Sequence, residues 1–359
     1  MAGMTNIMNK YKSKVVKVGP YKLGENNPVR VQSMTNTDTR DVSATVKQVL
    51  ELEKAGCELV RVAVPDMKAA KAIGNIKKRI HIPLVADIHF DYKLALEAVN
   101  QGIDKIRINP GNIGSEENVK AVVSACKKKK IPIRIGINGG SLEKDILKKY
   151  KGKVTAEGMI ESAMRHIRIL EKHNFRDILI SLKASDIERT VEAYRMLSRK
   201  VDYPFHIGVT EAGTVFRGTI MYSIGLGILL YEGIGATLRV SLTADPVSEI
   251  KVAWEILKSL KLRKRGVTVT SCPTCGRTEI DLIGLAEKVE DAVKFIDKDI
   301  HIAVMGCVVN GPGEAREADI GVAGGKGMGA IFVKGKVIKS VKEKDILPNL
   351  MKEIKKIIK

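Results

Sequence analysis

The stretch LVADIHFDYKLALEAVNQGIDKIRIN, residues 84–109, decides the fold. Two short apolar runs, 84–88 and 105–109, frame a segment, 93–100, whose apolar residues recur at helical spacing. Strand, helix, strand within so few residues is a βαβ unit, and its two strands run parallel. Working outward, the same alternation begins near residue 29. It gives strands at 29–34, 59–64, 84–88, 105–109, 133–137, 178–183, 206–210 and 237–242, which makes eight. Helical segments lie between them at 42–55, 93–100, 117–128, 156–172, 187–199 and 246–260. Asp41, Ser115, Thr155, Ser185 and Asp245 are placed to cap them, with Pro246 at the first helical position after Asp245. Eight βα units without a glycine-rich dinucleotide turn predict an α/β chain with a (β/α)8 TIM barrel rather than an open doubly wound sheet.

Before the barrel, residues 15–22 read as a hairpin around Gly19–Pro20 that plugs its bottom. After it, the basic stretch 261–266 reads as a linker, and the pattern changes. A strand at 267–271, a helix at 282–295, a strand at 301–305, a hairpin at 330–338 and a helix at 345–358 predict a small α+β domain. The expected domains are 1–262 and 263–359. The glycine-rich 323–329 lacks phosphate-loop spacing and reads as a flexible loop leading into the hairpin.

Composition limits the function classes. The 359 residues are 44% hydrophobic but only 4% aromatic, so the core must be aliphatic. The net charge is +20, but there is no basic stripe with stacking aromatics, which argues against nucleic acid. Much of the lysine excess reads as a solvated surface, including 127–130 at a helix end. No apolar leader is visible and the longest apolar run, 220–231, is too short to span a bilayer, so it reads as a buried helix. Five cysteines, an odd number, without an export signal point to thiols and a cytoplasmic setting. Cys57 and Cys126 lie in apolar surroundings and read as packing residues. His81, His166 and His173 read as helix-end or surface residues, and His206 as a core or supporting one.

In a barrel, chemistry sits at the C-terminal ends of the strands. Those ends carry Gln32 and Ser33, then Arg61, then Asp87 and His89, then Arg107 and Asn109. The later strands carry Arg134 and Asn138, Lys183, Thr210 and Glu211, then Arg239 and Ser241. Five cations meet two carboxylates, Asp87 and Glu211, and the excess calls for an anionic ligand. Forked guanidinium groups suit phosphate or diphosphate.

The C-terminal domain carries a second signal. Ser271–Cys272–Pro273–Thr274–Cys275–Gly276–Arg277 is followed by Met305–Gly306–Cys307–Val308–Val309–Asn310–Gly311–Pro312–Gly313–Glu314. The spacing is C-x2-C, 31 residues, C, six residues, E. Three thiolates suit zinc or an iron–sulfur cluster, and a weak carboxylate in fourth place leaves an exchangeable position. Residues alone leave open a zinc-dependent hydrolase or lyase acting on a phosphorylated small molecule. A structural zinc ribbon on an RNA-binding barrel would need a second C-x2-C pair, which is absent.

The phrases VQSMTNTDT, VRVAVPD, ADIHFDY, KIRINPGNIG, IPIRIGIN, SLKASD, GVTEAGT, RVSLTADP, SCPTCGRTEIDL and MGCVVNGPGEAREADIG choose between these readings. Together, over about residues 15–340, they resemble the 4-hydroxy-3-methylbut-2-enyl diphosphate synthases of the bacterial non-mevalonate isoprenoid pathway. The resemblance implies a 4Fe–4S cluster held by Cys272, Cys275, Cys307 and Glu314. It implies that 2-C-methyl-D-erythritol 2,4-cyclodiphosphate binds through Arg61, Arg107, Arg134, Lys183, Arg239 and Ser241. Asp87, His89, Asn109, Asn138, Thr210 and Asn310 would assist, and Glu211 would orient the hydroxyl or donate a proton. It also implies reduced flavodoxin or ferredoxin as electron donor, and a head-to-tail homodimer with the cluster of one subunit over the barrel of the other. Neither nucleic acid nor membrane enters as a partner.

Overall fold

The computed structural model describes residues 11–211, 213–307 and 315–358. Its first elements are β1 (Val16–Val18) and β2 (Tyr21–Leu23), an antiparallel hairpin turned by Gly19 at φ +53°. Val16, Val18 and Leu23 pack on Leu59, Leu179 and Ala236, which lie at or just before the starts of barrel strands. The hairpin therefore closes the N-terminal face of the barrel, as its sequence implies.

The barrel follows in regular order. β3 (Arg30–Met34), α1 (Val42–Ala55), β4 (Leu59–Ala63), α2 (Met67–Lys77), β5 (Leu84–Asp87) and α3 (Tyr92–Asn100) come first. β6 (Lys105–Arg107), α4 (Glu116–Lys129), β7 (Ile133–Asn138), α5 (Lys144–Lys149), α6 (Ala156–Lys172) and β8 (Ile178–Lys183) continue it. α7 (Ile187–Ser198), β9 (His206–Ile207), α8 (Val215–Tyr231), β10 (Thr237–Leu238) and α9 (Pro246–Ser259) complete it. The eight parallel strands lie in the order β8-β7-β6-β5-β4-β3-β10-β9. A parallel bridge between Ile180 and Phe205 joins the two ends, so the sheet closes on itself.

Local chemistry explains the helix starts. Asp41, Asp66, Asp91, Thr155, Asp186 and Asp245 each accept a backbone N–H of the first turn. At α7 the cap is Asp186, one residue past the expected Ser185, and Ser115 stands at its N-cap position without a side-chain bond. α2 is an additional helix between β4 and β5. Its first turn has no acidic residue and its apolar face is mostly alanine, so its periodicity is faint in the sequence. The apolar run 220–231 lies in α8, which starts five residues earlier, at Val215, and leaves Phe216, Ile220, Ile224 and Tyr231 exposed. No helix of the described residues is long and apolar enough to cross a membrane. Cys57 and Cys126 are buried, and so is His166, which faces inward from α6 instead of standing at a helix end. Its Nδ1 accepts the Gly111 N–H at 3.0 Å, and Nε2 lies 3.3 Å from Glu143.

The chain divides into two units between Arg263 and Lys264. The last residue of the first unit is anchored: Arg263 donates to Val29 O at 2.6 Å and to the Glu58 carboxylate at 3.1 Å, and lies over Trp254. In the second unit, β11 (Val267–Ser271), β12 (Ile300–Met305) and β13 (Ile320–Gly325) run parallel. β14 (Met328–Val333) and β15 (Lys336–Lys342) extend the sheet antiparallel. α10 (Leu282–Val293) and α11 (Ile346–Ile358) supply the rest of an aliphatic core that includes Val289, Ile302, Val322, Ile331 and Leu350. The glycine-rich segment is not a flexible loop. Most of it lies in β13 and β14, whose glycines admit close neighbours. A Cβ on Gly321 would sit 2.3 Å from the Phe332 ring and 2.4 Å from Ala303 O.

Candidate functional site

Alternation turns every second residue of a barrel strand inward. In this barrel the inward positions near the strand ends are polar. Arg107, Arg134 and Lys183 are buried, and the Arg61 and Arg239 side chains are only 12% and 16% exposed. A buried charge costs several kcal/mol unless paired and hydrogen-bonded. Asp87 is the centre of what pairing exists. Arg107 Nη1 lies 3.2 Å from Oδ1, Arg61 Nε 3.6 Å from Oδ2, and His89 Nε2 3.9 Å from Oδ1. Burial opposes ionisation of Asp87, but Arg61, Arg107 and Arg134 outweigh it and hold its carboxyl below the usual range. His89 itself stands on the rim, with its side chain 58% exposed.

The cations are seated by backbone and small residues. Arg107 Nη2 donates to Gly136 O at 2.8 Å, and a Cβ on Gly136 would lie 2.4 Å from Arg107 Nε. Asn109 grips the same peptide from both sides, donating to Gly136 O at 3.1 Å and accepting its N–H at 2.9 Å. Arg134 Nη1 donates to Ser181 Oγ at 2.7 Å, while its Nε and Nη2 are buried without a protein partner among the described residues. Lys183 extends against Gly208, where a Cβ would come within 2.7 Å of Nζ. The Met34 thioether lies 3.1 and 2.9 Å from Arg61 Nε and Nη2, and 3.6 Å from Arg239 Nη1. Burial lowers the Arg61 guanidinium to about 10, still charged at neutral pH. Burial first, then the neighbouring guanidinium charges, push the Lys183 amine well below its ordinary value.

The residues at the strand ends come together largely as expected. Asn138 pairs in register with Lys183, and both end their strands at the same mouth. The Thr210 N–H donates to Ala184 O at 3.1 Å, beside that mouth, and Ser241 bonds the Tyr222 hydroxyl. Glu211 is the exception. It is exposed, with φ at 57°, and forms no ion pair with the cations among the described residues. The second interior carboxylate is Glu249, on α9. It accepts from Ser33 Oγ at 3.2 Å and Leu242 N–H at 3.0 Å, and lies 3.9 Å from Arg239 Nε. Its signal was available: 246, 249, 250, 253 and 257 form the buried stripe of that helix, and an acid stands within it. Lys105 also escaped notice. It shares the parity of Arg107 on β6, is fully buried, and donates to Gln32 Oε1 at 3.2 Å. His206, also fully buried, shares a hydrogen bond of 2.8 Å with Thr237 Oγ1.

In the second unit, parallel pairing sets Ser271 opposite Val304, so Cys272 and Cys307 follow neighbouring strands at one sheet edge. The Gly306 N–H donates to Cys272 Sγ at 3.2 Å. Cys275 is exposed, and the Arg277 N–H lowers its thiol below the ordinary value. Thr278 closes the Cys275 turn through hydrogen bonds of 3.2 and 3.0 Å. All three sulfurs are free thiols, and a cavity of about 260 Å³ beside Cys272 is lined by Thr274, Leu282 and Glu290. Glu314 and Asn310 lie outside the described residues. Among the described residues no group of three or more His, Cys, Asp or Glu side chains is placed to hold a metal ion. Two thiols that follow paired strands, with an N–H directed at one sulfur, have donor chemistry that suits a thiophilic centre.

Comparisons with known proteins agree with this two-part architecture. Residues 13–254 match the model of the GcpE TIM-barrel domain, and residues 268–356 that of the GcpE protein C-terminal domain. A protein of Fusobacterium nucleatum named 4-hydroxy-3-methylbut-2-en-1-yl diphosphate synthase (flavodoxin) is 62% identical over 346 residues, 96% of each chain. One of the same name from Caldanaerobacter subterraneus is 61% identical over 344 residues, 96% of this chain and 97% of that one. Among solved structures, the N-acetylneuraminic acid synthetase of Leptospira borgpetersenii has a TM-score of 0.50 at 12% identity, covering 79% of this chain and 99% of that one. That likeness concerns the fold alone. Barrel and C-terminal domain alike, the chain belongs to the GcpE family.

Proposed function

We propose that this chain reductively opens 2-C-methyl-D-erythritol 2,4-cyclodiphosphate to (E)-4-hydroxy-3-methylbut-2-enyl diphosphate, with flavodoxin as the electron donor. One observation carries the reading. Arg61, Lys105, Arg107, Arg134, Lys183 and Arg239 line the barrel interior, and among the described residues the carboxylates that share it with them are Asp87 and Glu249. A dianionic ring supplies half of the missing counter-charge. The relatives' name, a flavodoxin-dependent synthase, leaves the zinc hydrolase or lyase reading without support.

In this reading the barrel binds and orients. Arg61, Arg107 and Arg239 clamp the phosphoryl oxygens, and Arg134 offers its two unpartnered donors from below. Fixed donors aimed at an oxygen that gains charge as the ring C–O bond breaks stabilise that charge without reorganising. Asn109 keeps the seat of Arg107 rigid. Thr210, Asn138 and Ser241 are placed to hold ring hydroxyls. Glu211, on the exposed rim, orients the departing hydroxyl or delivers a proton to it. A 4Fe–4S cluster held by Cys272, Cys275 and Cys307, with Glu314 in the exchangeable fourth place, would relay the two electrons from flavodoxin one at a time. The active unit is a head-to-tail homodimer in which one subunit's cluster domain serves the partner's barrel.

Anaerobic turnover of the cyclodiphosphate by iron-replete protein with reduced flavodoxin tests the reading, with the linear allylic diphosphate as the expected product. Protein that carries iron yet releases no such product would overturn it.

A further inference from the structure

Counted with every group ionised, the barrel interior holds six cations and two carboxylates, four charges out of balance. Guanidinium groups do not surrender protons in proteins, whereas a desolvated ammonium does. The interior can therefore relieve its imbalance only at Lys105, Lys183 or the His206 imidazole. Lys105 is sealed at 0% exposure and already has an acceptor in Gln32, and His206 is likewise sealed from solvent, with Nδ1 bonded to Thr237 and Nε2 buried without a partner among the described residues. Lys183 differs. Its amine rests in the notch left by Gly208, at the strand ends, and makes no hydrogen bond or ion pair among the described residues. Every barrel element around it presents charge: Arg61 from β4, Asp87 from β5, Lys105 and Arg107 from β6, and Arg134 from β7. His206 faces it from β9, Arg239 from just past β10 and Glu249 from α9.

We infer that a cyclic diphosphate binds this barrel together with a proton, and that Lys183 is the group that takes the proton up. This rests on the reading of the barrel as a cyclic diphosphate site. In the free protein four guanidinium groups oppose an ammonium at that position, and among the described residues no protein acceptor compensates it. The arriving dianion halves the excess charge and supplies acceptors, so the amine becomes an ammonium against a phosphoryl oxygen. The step is an acid–base one: solvent gives up a proton, the lysine nitrogen gains it, and nothing is oxidised or reduced. The ring's own phosphoryl groups are strong acids without a titration near neutrality, so the uptake is the protein's alone. The reaction consumes protons, and Lys183 would bring one to the site with the substrate.

Isothermal titration of the cyclodiphosphate into the full-length protein at pH 8, in buffers of different ionisation enthalpy, measures the uptake directly. About one proton per ligand is expected, with affinity falling up to about tenfold per pH unit as pH rises. Lys183→Arg keeps a cation that cannot release its proton, so it should bind with no uptake and a flat pH profile. Lys105→Met should retain the uptake. Binding without uptake in the unaltered protein would overturn the inference, and so would undiminished uptake in Lys183→Arg. If the cyclodiphosphate fails to bind at all, it is the reading of the barrel site that falls.

Discussion

At the scale of single residues, the phosphate clamps make the sharpest prediction. Losing Arg107 or Arg239 orphans no carboxylate, since Asp87 keeps Arg61 and Glu249 keeps Ser33 and the Leu242 N–H, so the barrel should stay folded in either variant. Each charge-assisted hydrogen bond lost is worth about 1.5–3 kcal/mol, or one to two decades in affinity. Arg107→Ala and Arg239→Ala should weaken cyclodiphosphate binding by that factor, and unchanged titration curves in both would move the phosphate site elsewhere. A second prediction concerns pH. Asp87 and the amines of Lys105 and Lys183 all have folded-state values below their ordinary ones. For the amines the unfolded chain binds more protons between the lowered value and about 10.4, so stability rises with pH across that window. The carboxylate adds stability present above about 3.9 and lost as pH falls through its lowered value. Urea midpoints should climb from pH 7 to pH 9.5, and less steeply in Lys183→Met. Parallel slopes would remove Lys183 from the account.

At the scale of elements, Gly321 in β13 is where the second unit has least room. Its missing Cβ leaves space for the Phe332 ring and Ala303 O. Gly321→Ala should cost about 1–3 kcal/mol through overpacking. Thermal unfolding would register this as an earlier transition for the residues beyond 263, and an unshifted transition would show slack around that strand. The same strand marks where sequence reading stopped short. Strands such as 133–137 and 178–183 are buried throughout and rich in isoleucine and leucine, so the pattern alone reveals them. β13 reads Ile-Gly-Val-Ala-Gly-Gly, and its glycines look like loop residues until neighbours crowd them. The site behaves likewise. Arginines interrupting apolar strands were legible because their cost is visible in one dimension. Glu249 was not, because its partners Ser33 and Arg239 are distant in sequence and its helix reads as an outer layer. Glu211 was given a pairing role because a carboxylate at a strand end resembles Asp87, whereas its backbone enters the left-handed region and leaves it exposed.

At the scale of the whole molecule, the polar mouth opens at the C-terminal ends of the strands. Arg263 leaves the barrel beside Glu58 and Val29, at the opposite face. Complementation tests the proposed sharing of catalysis between subunits. Cys307→Ala keeps a sound barrel, and Arg107→Ala keeps sound cysteines. Mixed and allowed to exchange subunits, the two inactive variants should regain turnover through one intact composite site. No recovery in verified heterodimers would mean that each chain closes on itself.

The hairpin of Val16, Val18 and Leu23 bears on traffic. It gives the barrel a floor, so among the described residues the arginine-lined mouth at the strand ends is the doorway for both reactant and product. The linear diphosphate formed inside must leave past the same guanidinium groups that admitted the ring, and it keeps both phosphates for them to hold. Accumulated product should therefore compete with substrate for the doorway, raising the apparent KM without lowering the limiting rate. A non-competitive pattern would mean a second exit.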